Sequence, residues 1–282
     1  MVNPRSGRAR QALPAIQAFA ARAGADVLAT QRPRHAAELA RNALAAGCQL
    51  VVAVGGDGTM NEIAGILSGT GVTLGLIPCG SGNGLGRHLG IHGSIARALD
   101  LLHTGRPHDI DTGFADGHAF FTAAGIGFEA EIAQRFNQLQ RRGFTRYLST
   151  SARAFRDWQP QDYVVSHGSH RESVRAFTLA VANANQYGNN ALIAPAARID
   201  DGLLDLCVIP PVRWFNAVPL AARLFRGTIA HATGVRLFRS DHFIVERAAP
   251  GPLHTDGEVH AAGTRLEFSI RPRSLRVMIP SA

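Results

Sequence analysis

The sequence predicts an α/β protein with two domains: an N-terminal parallel-sheet nucleotide-binding domain, then a mainly antiparallel, β-sandwich-like domain. Three observations predict this class. Strand-like apolar runs alternate with helical runs over the first hundred residues, which is typical of a parallel sheet covered on both faces. Strand-like runs separated by turn residues dominate from about residue 107. The 282 residues, 46% of them hydrophobic, supply enough apolar side chains for one large or two smaller cores.

The first domain is read as strands and helices in alternation. The helical runs keep apolar residues at helical spacing, and several stop at glycine: they are "RARQALPAIQAFAARAG", "RHAAELARNALAAG", a helix from about Met60, and "SIARALDLLHTG". The runs predicted as inner strands are short and apolar: "ADVLAT", "QLVVAVGG" and "VTLGLIPCG". We expect this domain to cover residues 1–106, completed by the C-terminal residues 272–282.

The second domain is expected over residues 107–271. Its strand-like runs are "DYVVSHG", "RAFTLAVANA", "LLDLCVI", "HFIVER" and "TRLEFSIRP". Helical interludes are predicted at about 129–156 and 213–231. No repeat or low-complexity tract is evident, and composition does not mark the boundary between the domains.

The net charge of +8 comes entirely from arginine, because the chain contains no lysine. The absence of lysine excludes a Walker A phosphate loop, a protein-kinase strand lysine and Schiff-base chemistry. It is equally compatible with a mutational bias toward arginine. The basic excess suits a nucleotide, a nucleic acid or a lipid surface as partner. The aromatic-basic stripe of an RNA-binding sheet is missing, so we expect no nucleic-acid partner.

Cysteine usage and hydropathy limit the cellular locations that the sequence predicts. Cys48, Cys79 and Cys207 are far apart and odd in number, which favours buried free thiols over a disulfide framework or zinc ribbon. No apolar run approaches the roughly 20 residues that span a bilayer. The stretch "MVNPRSGRAR" lacks the apolar segment of a secretory signal. We expect a cytoplasmic protein.

The stretch "VAVGGDGTMNEIAG" places glycines and an aspartate where a buried strand ends. Ligands of open parallel sheets bind at such strand ends, and a following helix N-terminus favours negative charge. A phosphate is the expected ligand. Because Asp57 would repel it, the aspartate indicates a metal-nucleotide complex or a proton acceptor. The alternative is a tight strand-to-helix turn with Asp57 as N-cap.

Two further loops share this character. "PCGSGNGLGRH" follows the next strand, with Ser81 and Asn83 as polar donors. Its glycines miss the G-x-G-x-x-G register, since the third glycine would fall on Leu85 or Arg87, which weakens a dinucleotide-binding interpretation. "VNPRSG" near the start is of the same type. Taken singly, each loop could be an ordinary turn or helix cap. Together they predict a cradle for the phosphates of a nucleoside triphosphate.

The ordered set "NPRSG", "GGDGT", "PCGSGNGLGR", "AAGIGFEAEI", "APAARIDDGLLDL" and "TDGE" resembles the diacylglycerol kinase catalytic family, which includes bacterial lipid kinases and sphingosine kinases. The match runs over almost the whole chain. "GGDGT" alone is shared with NAD kinases and phosphofructokinases, whereas the ordered set is specific. The resemblance implies an ATP- and Mg²⁺-dependent kinase with its active cleft between the two domains. It also implies a lipid substrate at a membrane surface, peripheral membrane association, and compatibility with a homodimer.

The resemblance carries nucleotide-contacting roles onto positions of all three loops. These positions are Asn3, Pro4, Arg5, Ser6, Gly7, Thr30, Gly55, Gly56, Asp57, Gly58, Thr59, Met60, Asn61, Glu62, Ser81 and Asn83. More loosely, Arg142 and Arg146 in "RRGFTRYLS" resemble phosphate-gripping arginines of sphingosine kinases. A solvated helix face is the alternative for these two arginines.

A metal site is implied in "RIDDGLLD". There Asp201 would give its side chain to Mg²⁺, and Arg198 and Leu203 would stand at backbone-ligand positions. Magnesium prefers oxygen ligands and keeps several waters, so few protein groups are needed. The alternative is a polar Asp-Gly turn before a strand.

The catalytic carboxylate is expected in "HTDGEVH", which also reads as an Asp-Gly hairpin turn. Glu258 matches the family's proposed proton acceptor, with Asp57 organising nucleotide, metal and nucleophile. His254 and His260 are expected to be ordinary surface histidines. Asp111 in "DIDTG" matches an acid that supports the charged network near the loops.

Two departures from the family pattern stand out. Gly84 stands where many bacterial members have aspartate, and the first strand is nearly missing because "NP" begins at residue 3. The expected reaction is ATP-dependent phosphorylation of a lipid hydroxyl. An NAD kinase-like enzyme and a non-catalytic nucleotide-binding protein are the alternatives.

Overall fold

The computed structural model describes residues 1–137 and 153–281, and the chain divides into two compact units. The first unit comprises Met1–Thr112, Tyr187–Asn190 and Arg271–Ala282, and the second comprises Gly113–Gln186 and Ala191–Ile270. Two long strands, β3 (Arg106–Ala115) and β14 (Arg265–Ile279), contribute residues to both units. The predicted domain boundary at residue 106 stays a prediction.

The sheet of the first unit is parallel. Strand β1 (Leu50–Gly55) pairs with β2 (Thr73–Pro78), which pairs in parallel with the C-terminal part of β14. Strands β1 and β2 are largely apolar, and β2 is buried along its whole length. The predicted strands at these positions are confirmed.

Five helices accompany this sheet: α1 (Ala9–Ala23), α2 (His35–Ala45), α3 (Asp57–Leu67), the short α4 (Gly84–His88) and α5 (Ile95–Thr104). Helices α3 and α5 pack on the strands, α2 on α3, and α1 on α5. Helix α3 begins three residues earlier than the sequence predicts, with Gly56 rather than Asp57 as N-cap.

The predicted inner strand "ADVLAT" is wrong. This stretch makes only an isolated parallel bridge between Ala29 and Val2, and Leu28 is exposed. Val2 bridges in turn to Val54. This run of six residues therefore lies at an exposed edge, and only Ala29 forms a β-bridge there.

The second unit is a β-sandwich, as the sequence predicts. One sheet has the order β10-β9-β8-β5-β12-β13, antiparallel throughout. Its strands are β5 (Ala123–Gly127), β8 (Thr178–Ala182), β9 (Leu204–Ile209), β10 (Arg236–Ser240), β12 (Gly251–Thr255) and β13 (Glu258–Ala262).

The opposite layer contains β6 (Gln161–His167), β7 (His170–Ala176), β11 (His242–Arg247) and the first part of β14, with antiparallel pairing; β4 (His118–Phe120) pairs with β3. Apolar side chains of both layers, among them Val165 and Phe268 facing Ile126 and Leu206, form one buried cluster. Burial of this cluster is the main stabilising contribution of the unit.

The helices of the second unit are α6 (Phe128–Asn137) and α7 (Trp214–Arg226), with a 3₁₀ turn at Ile229–His231 and a helical stretch at 153–157. Among the free cysteines, Cys79 and Cys207 are buried as predicted, whereas Cys48 is exposed. No helix in the described ranges has the length and apolarity needed to cross a membrane.

Candidate active site

Three segments of the first unit meet at one edge of its sheet. We call residues 3–7 loop 1, residues 55–59 loop 2 and residues 79–84 loop 3. Loop 1 is attached to loop 2 because the Asn3 side-chain amide donates to Thr59 Oγ1 at 2.9 Å. It is joined to loop 3 through the next residue, Arg8, whose backbone N–H donates to the Cys79 carbonyl at 3.0 Å. Loops 2 and 3 follow the carboxyl ends of neighbouring parallel strands, which explains why they lie together.

Glycine is required where these loops touch. A Cβ atom on Gly7 would lie 1.9 Å from the Cys79 carbonyl oxygen, and one on Gly80 would lie 2.6 Å from the Gly56 Cα. A Cβ on Gly82 would lie 2.6 Å from Asp57 Oδ2. The glycines of the three motifs therefore permit close backbone approach between the loops.

Asp57 joins loop 2 to loop 3. Its Oδ2 accepts from the Asn83 backbone N–H at 2.8 Å, and its Oδ1 accepts from the Gly84 N–H at 2.7 Å. Since Gly84 opens α4, the carboxylate caps that helix from outside. The acid among the glycines thus has a local explanation: it holds the loops in register.

Backbone amides remain free at this edge. The N–H groups of Asp57 and Gly58, in the first turn of α3, have no acceptor within the described part of the chain. The same is true of the Ser81 and Gly82 N–H groups among the described residues. Unpaired amides at a helix N-terminus and in an adjacent glycine loop form a favourable site for an anion such as phosphate.

Several side chains predicted to contact nucleotide are engaged in the protein itself. Asn83 accepts from the Gly80 N–H at 3.0 Å and donates to the Gly80 carbonyl at 2.7 Å. Glu62 accepts from the backbone N–H groups of Arg34 and Ala36 at 3.2 and 3.1 Å, at the start of α2. Met60 is fully buried. These three residues therefore stabilise the protein structure at this edge of the sheet.

The other predicted positions lie at or beside the same edge. Thr30 is adjacent to loop 1, because its backbone N–H donates to the Val2 carbonyl at 2.8 Å. Arg5 and Ser81 are exposed, and Pro4, Ser6 and Asn61 are partly buried. Arg142 and Arg146 lie outside the described residues.

A fourth segment, residues 187–190, was missed by the sequence reasoning. The Asn189 N–H donates to the Gly82 carbonyl at 3.2 Å, and Arg87 bridges Gly82 O at 2.9 Å and Asn190 Oδ1 at 3.2 Å. Its only sequence signal is the run "YGNN", which is typical of a turn. Asp111, in the same unit, is buried and accepts from the Arg273 N–H at 2.7 Å, as a structural support.

Glu258 is held at the end of a tight hairpin in the second unit. Thr255 pairs with Glu258 across a two-residue turn in which Asp256 and Gly257 both have positive φ, as type I′ hairpins require. The predicted Asp-Gly hairpin is confirmed. The Glu258 side chain is exposed at the first residue of β13.

Asp256 fixes this hairpin and was not predicted to have a role. Its carboxylate accepts from the backbone N–H groups of Phe121, Thr122 and Ala123 at 2.7 to 3.0 Å, and from the Thr122 hydroxyl. Burial raises the pKa of Asp256, while these hydrogen bonds favour its ionised form and oppose the rise. The Asp256 carboxylate therefore fixes the turn that precedes Glu258, the first residue of β13.

The expectation of a surface residue is wrong for His254, whereas His260 is only partly buried. His254 is buried, with its Nε2 3.3 Å from Glu129 Oε1. The His260 ring lies 2.8 Å from Thr255 Oγ1 and stacks on His118. The local sequence looks polar and turn-like, but β12 is sandwiched between β5 and β13, which buries its inward residues.

The predicted metal segment contains two carboxylates that share an arginine. Asp201 Oδ1 accepts from the Leu203 N–H at 3.1 Å, and its Oδ2 accepts from Arg239. Asp205, cross-strand from Arg239, lies 3.2 Å from Arg239 Nε through Oδ1, while its buried Oδ2 has no hydrogen-bond partner. Burial raises the pKa of Asp205 to about 6, against the opposing effect of Arg239.

The segment offers oxygen atoms of the type that Mg²⁺ binds, but both oxygens of Asp201 already accept hydrogen bonds, from the Leu203 N–H and from Arg239. One carboxylate, Asp201, and the carbonyls at Arg198 and Leu203 are hard oxygen donors, the type that Mg²⁺ selects. Arg239 already supplies positive charge to Asp201. In the described ranges, no cluster of three or more histidine, cysteine, aspartate or glutamate side chains could hold a metal.

The fold and the loop geometry define a kinase of the class that combines a glycine-rich α/β unit with a β-sandwich. Family models agree: residues 1–115 match the "Diacylglycerol kinase catalytic domain" and residues 122–279 match the "YegS C-terminal NAD kinase beta sandwich-like domain". The chain belongs to the YegS-like lipid kinases of the diacylglycerol kinase catalytic family.

Individual relatives support this membership. The chain is 33% identical over 251 residues to a "Probable lipid kinase YegS-like" of Pseudomonas aeruginosa, covering 87% of this chain and 82% of that protein. It is 30% identical over 247 residues to a "Diacylglycerol kinase" of Mycobacterium tuberculosis, covering 84% and 79%. A crystal structure of a diacylglycerol kinase from Bacillus anthracis superposes with a TM-score of 0.76 at 19% identity, covering 99% and 94%, which shows the shared fold.

Proposed function

We propose that this chain transfers the γ-phosphate of ATP to a hydroxyl group of a diacylglycerol-like or sphingoid lipid, with Mg²⁺ as cofactor. The observation that carries the proposal is the set of unpaired amides of Asp57, Gly58, Ser81 and Gly82 at one sheet edge, in a member of a lipid kinase family. Phosphoryl transfer depends mainly on positioning and charge neutralisation, and such amides supply both.

In this mechanism the loops bind the phosphates through backbone N–H groups, and Asp57 keeps loops 2 and 3 in contact. Glu258 accepts the proton of the lipid hydroxyl as its oxygen bonds to the γ-phosphorus and the bond to the ADP oxygen breaks. Asp256 positions Glu258 by fixing the hairpin turn. Magnesium, held by Asp201 and the Arg198 and Leu203 carbonyls, would neutralise phosphate charge.

The experiment that tests the proposal offers labelled ATP together with diacylglycerol micelles, sphingosine or NAD. We expect label in a lipid and none in NAD. Transfer to NAD alone would favour the NAD kinase-like alternative. Incubation with a total lipid extract, followed by analysis of the labelled lipids, identifies the preferred lipid.

The variant Glu258→Gln tests the role of the carboxylate, because glutamine is nearly isosteric but a poor proton acceptor. We expect kcat to fall by roughly 10²- to 10⁴-fold, the usual contribution of general-base catalysis. Nucleotide affinity and the unfolding midpoint should stay unchanged, because Glu258 is exposed. The matched control Glu267→Gln, also exposed in the second unit, should keep full activity. Unchanged turnover in Glu258→Gln would assign the proton acceptor to another group, whereas no turnover in the wild type would leave a non-catalytic nucleotide-binding protein.

A further inference from the structure

Helix α7 presents an apolar surface to solvent. Trp214 is 81% exposed, Val218 76%, Phe215 57% and Phe225 56%, and these are the most exposed large hydrophobic residues in the described ranges. With 3.6 residues per turn, Trp214, Val218 and Phe225 lie at positions i, i+4 and i+11, on one stripe of the helix. Large aromatic side chains left in water at this density mark an interaction surface.

The other side of α7 anchors it to the second unit. Ala217, Leu220 and Leu224, at positions i, i+3 and i+7, are partly buried, and the Leu224 carbonyl accepts from the Leu192 N–H at 3.0 Å. The helix therefore packs on the second unit through its other face. Its exposed stripe is not the face that packs against the core.

Arginines accompany the apolar stripe. Arg213, Arg223 and Arg226 lie at the ends of α7, are exposed, and form no ion pair with any described residue. From 206 to 240 the sequence contains five arginines and no aspartate or glutamate. The surface thus combines aromatic side chains with uncompensated positive charge.

We propose that α7 docks the protein on an anionic lipid bilayer, lying in the interface with Trp214, Val218 and Phe225 inserted and its arginines at the phosphate groups. This pattern is typical of interfacial helices, in which aromatic residues sit at headgroup level. At about 1.5 Å per residue the helix reaches roughly 20 Å, shorter than the roughly 30 Å hydrocarbon core, so it lies on the membrane.

Charge argues against a second copy of the chain as the occupant. A two-fold contact would bring the same patch against itself, so the α7 arginines of both copies would approach each other. The segment 206–240 offers no carboxylate to pair with them. Lipid phosphates supply the missing negative charge.

Vesicle sedimentation tests the proposal. We expect the protein to bind phosphatidylcholine vesicles containing 30% phosphatidylglycerol far better than pure phosphatidylcholine, and to dissociate as salt rises. Trp214→Ala/Phe225→Ala should weaken binding at least tenfold, and Arg223→Ser/Arg226→Ser by roughly fivefold per arginine. The matched controls are Leu28→Ala/Leu50→Ala, exposed hydrophobics of the first unit, and Arg10→Ser/Arg22→Ser on α1; both should bind like the wild type.

Fluorescence reports insertion directly. The chain has two tryptophans, so Trp158→Phe leaves Trp214 as the sole emitter. We expect a blue shift on addition of anionic vesicles, and quenching by brominated acyl chains. Equal binding by the α7 variants and the wild type, or an unshifted Trp214 emission, would overturn the proposal. So would a wild-type dimer in sedimentation velocity that Trp214→Ala/Phe225→Ala converts to monomer.

This inference goes beyond the proposed function, and the two can fail separately. The α7 variants should phosphorylate a soluble short-chain diacylglycerol at the wild-type rate, because no α7 residue belongs to the loops or the Glu258 hairpin. Vesicle binding without any lipid phosphorylation would remove the kinase proposal and leave the docking helix. Phosphorylation of vesicle lipids by an α7 variant at the wild-type rate would remove the docking proposal and leave the kinase proposal.

Discussion

At the scale of single residues, a substitution of Asp57 tests whether its hydrogen bonds hold loops 2 and 3 together. In Asp57→Asn one of the two oxygens becomes an NH₂ group, which faces a backbone N–H of Asn83 or Gly84 instead of accepting from it. We expect a loss of about 1–3 kcal/mol in the free energy of unfolding, together with weaker nucleotide binding. Urea unfolding and nucleotide titration measure the two effects.

The matched control for this change is Asp100→Asn, since Asp100 is exposed on α5. It should unfold at the wild-type midpoint. If Asp57→Asn were as stable as Asp100→Asn, the capping role of Asp57 would be refuted, and a role confined to ligand or metal would take its place.

Asp205 gives the second residue-scale prediction. Burial raises its pKa to about 6 from an ordinary 3.8, so between these values the folded state binds more protons than the unfolded state. Stability contributed by this group therefore falls as pH rises from about 4 to about 6, and stays low above that. We expect Asp205→Asn to be more stable than the wild type at pH 7.5 and to flatten this slope.

The measurement is urea unfolding at several pH values between 4 and 7.5, in the presence of a chelator. Asp162→Asn serves as control, because the Asp162 side chain is exposed and its ion pair with Arg175 is a surface contact. A slope that persists in Asp205→Asn would assign the pH dependence to another group.

The chemistry-bearing residues could be named from the sequence, but their partners could not. The spacing of "GGDGT" and "GSGNG" places two loops at neighbouring strand ends, which local pattern suffices to predict. The contact between Asp57 and the N–H of Gly84 joins residues 27 positions apart and depends on how loop 3 folds back. The same holds for Asp256 and Phe121, separated by 135 positions.

At the scale of elements, two glycines predict opposite responses. Gly7 has a positive φ and its Cβ would lie 1.9 Å from the Cys79 carbonyl oxygen, so Gly7→Ala must move loop 1 away from loop 3. Gly65, inside α3, has open space around it, and alanine there favours the helix. We expect Gly7→Ala to lose stability and nucleotide binding.

Gly65→Ala should gain about 0.5–1 kcal/mol in the free energy of unfolding. Thermal unfolding of both variants, with and without nucleotide, measures the contrast. Equal stability of Gly7→Ala and the wild type would mean that loops 1 and 3 separate easily and that their contact does not hold the phosphate site.

Element prediction was most accurate where an apolar run is buried in a regular strand, and failed where the run is exposed. β1 and β2 are continuous apolar runs that pair with each other and are mostly buried, and the sequence identified both. "ADVLAT" has similar composition, yet Leu28 and Ala29 lie at an exposed edge. Composition gives no position within a sheet, so the two cases look alike. The prediction of a surface position for His254 was wrong for the same reason. The local sequence is polar, but the strands on either side of β12 bury this residue.

At the scale of the whole molecule, the two proposals give the loops of the first unit and α7 of the second unit different ligands. Free amides in the first unit suit phosphate, while aromatic and arginine side chains of the second unit suit a bilayer. A kinase whose lipid substrate stays in the membrane needs both. The excess of positive charge, +8 over the chain, favours approach to an anionic surface.

Hydrogen exchange can separate these surfaces in one protein. A non-hydrolysable ATP analogue with Mg²⁺ should slow exchange at the amides of Asp57, Gly58, Ser81 and Gly82, which are unpaired among the described residues, and leave α7 unchanged. Anionic vesicles should slow exchange across α7 and leave the loops unchanged. Pure phosphatidylcholine vesicles are the control for the second effect. Protection of α7 by the nucleotide alone would contradict the assignment of two surfaces, because it would place α7 in the response to phosphate binding.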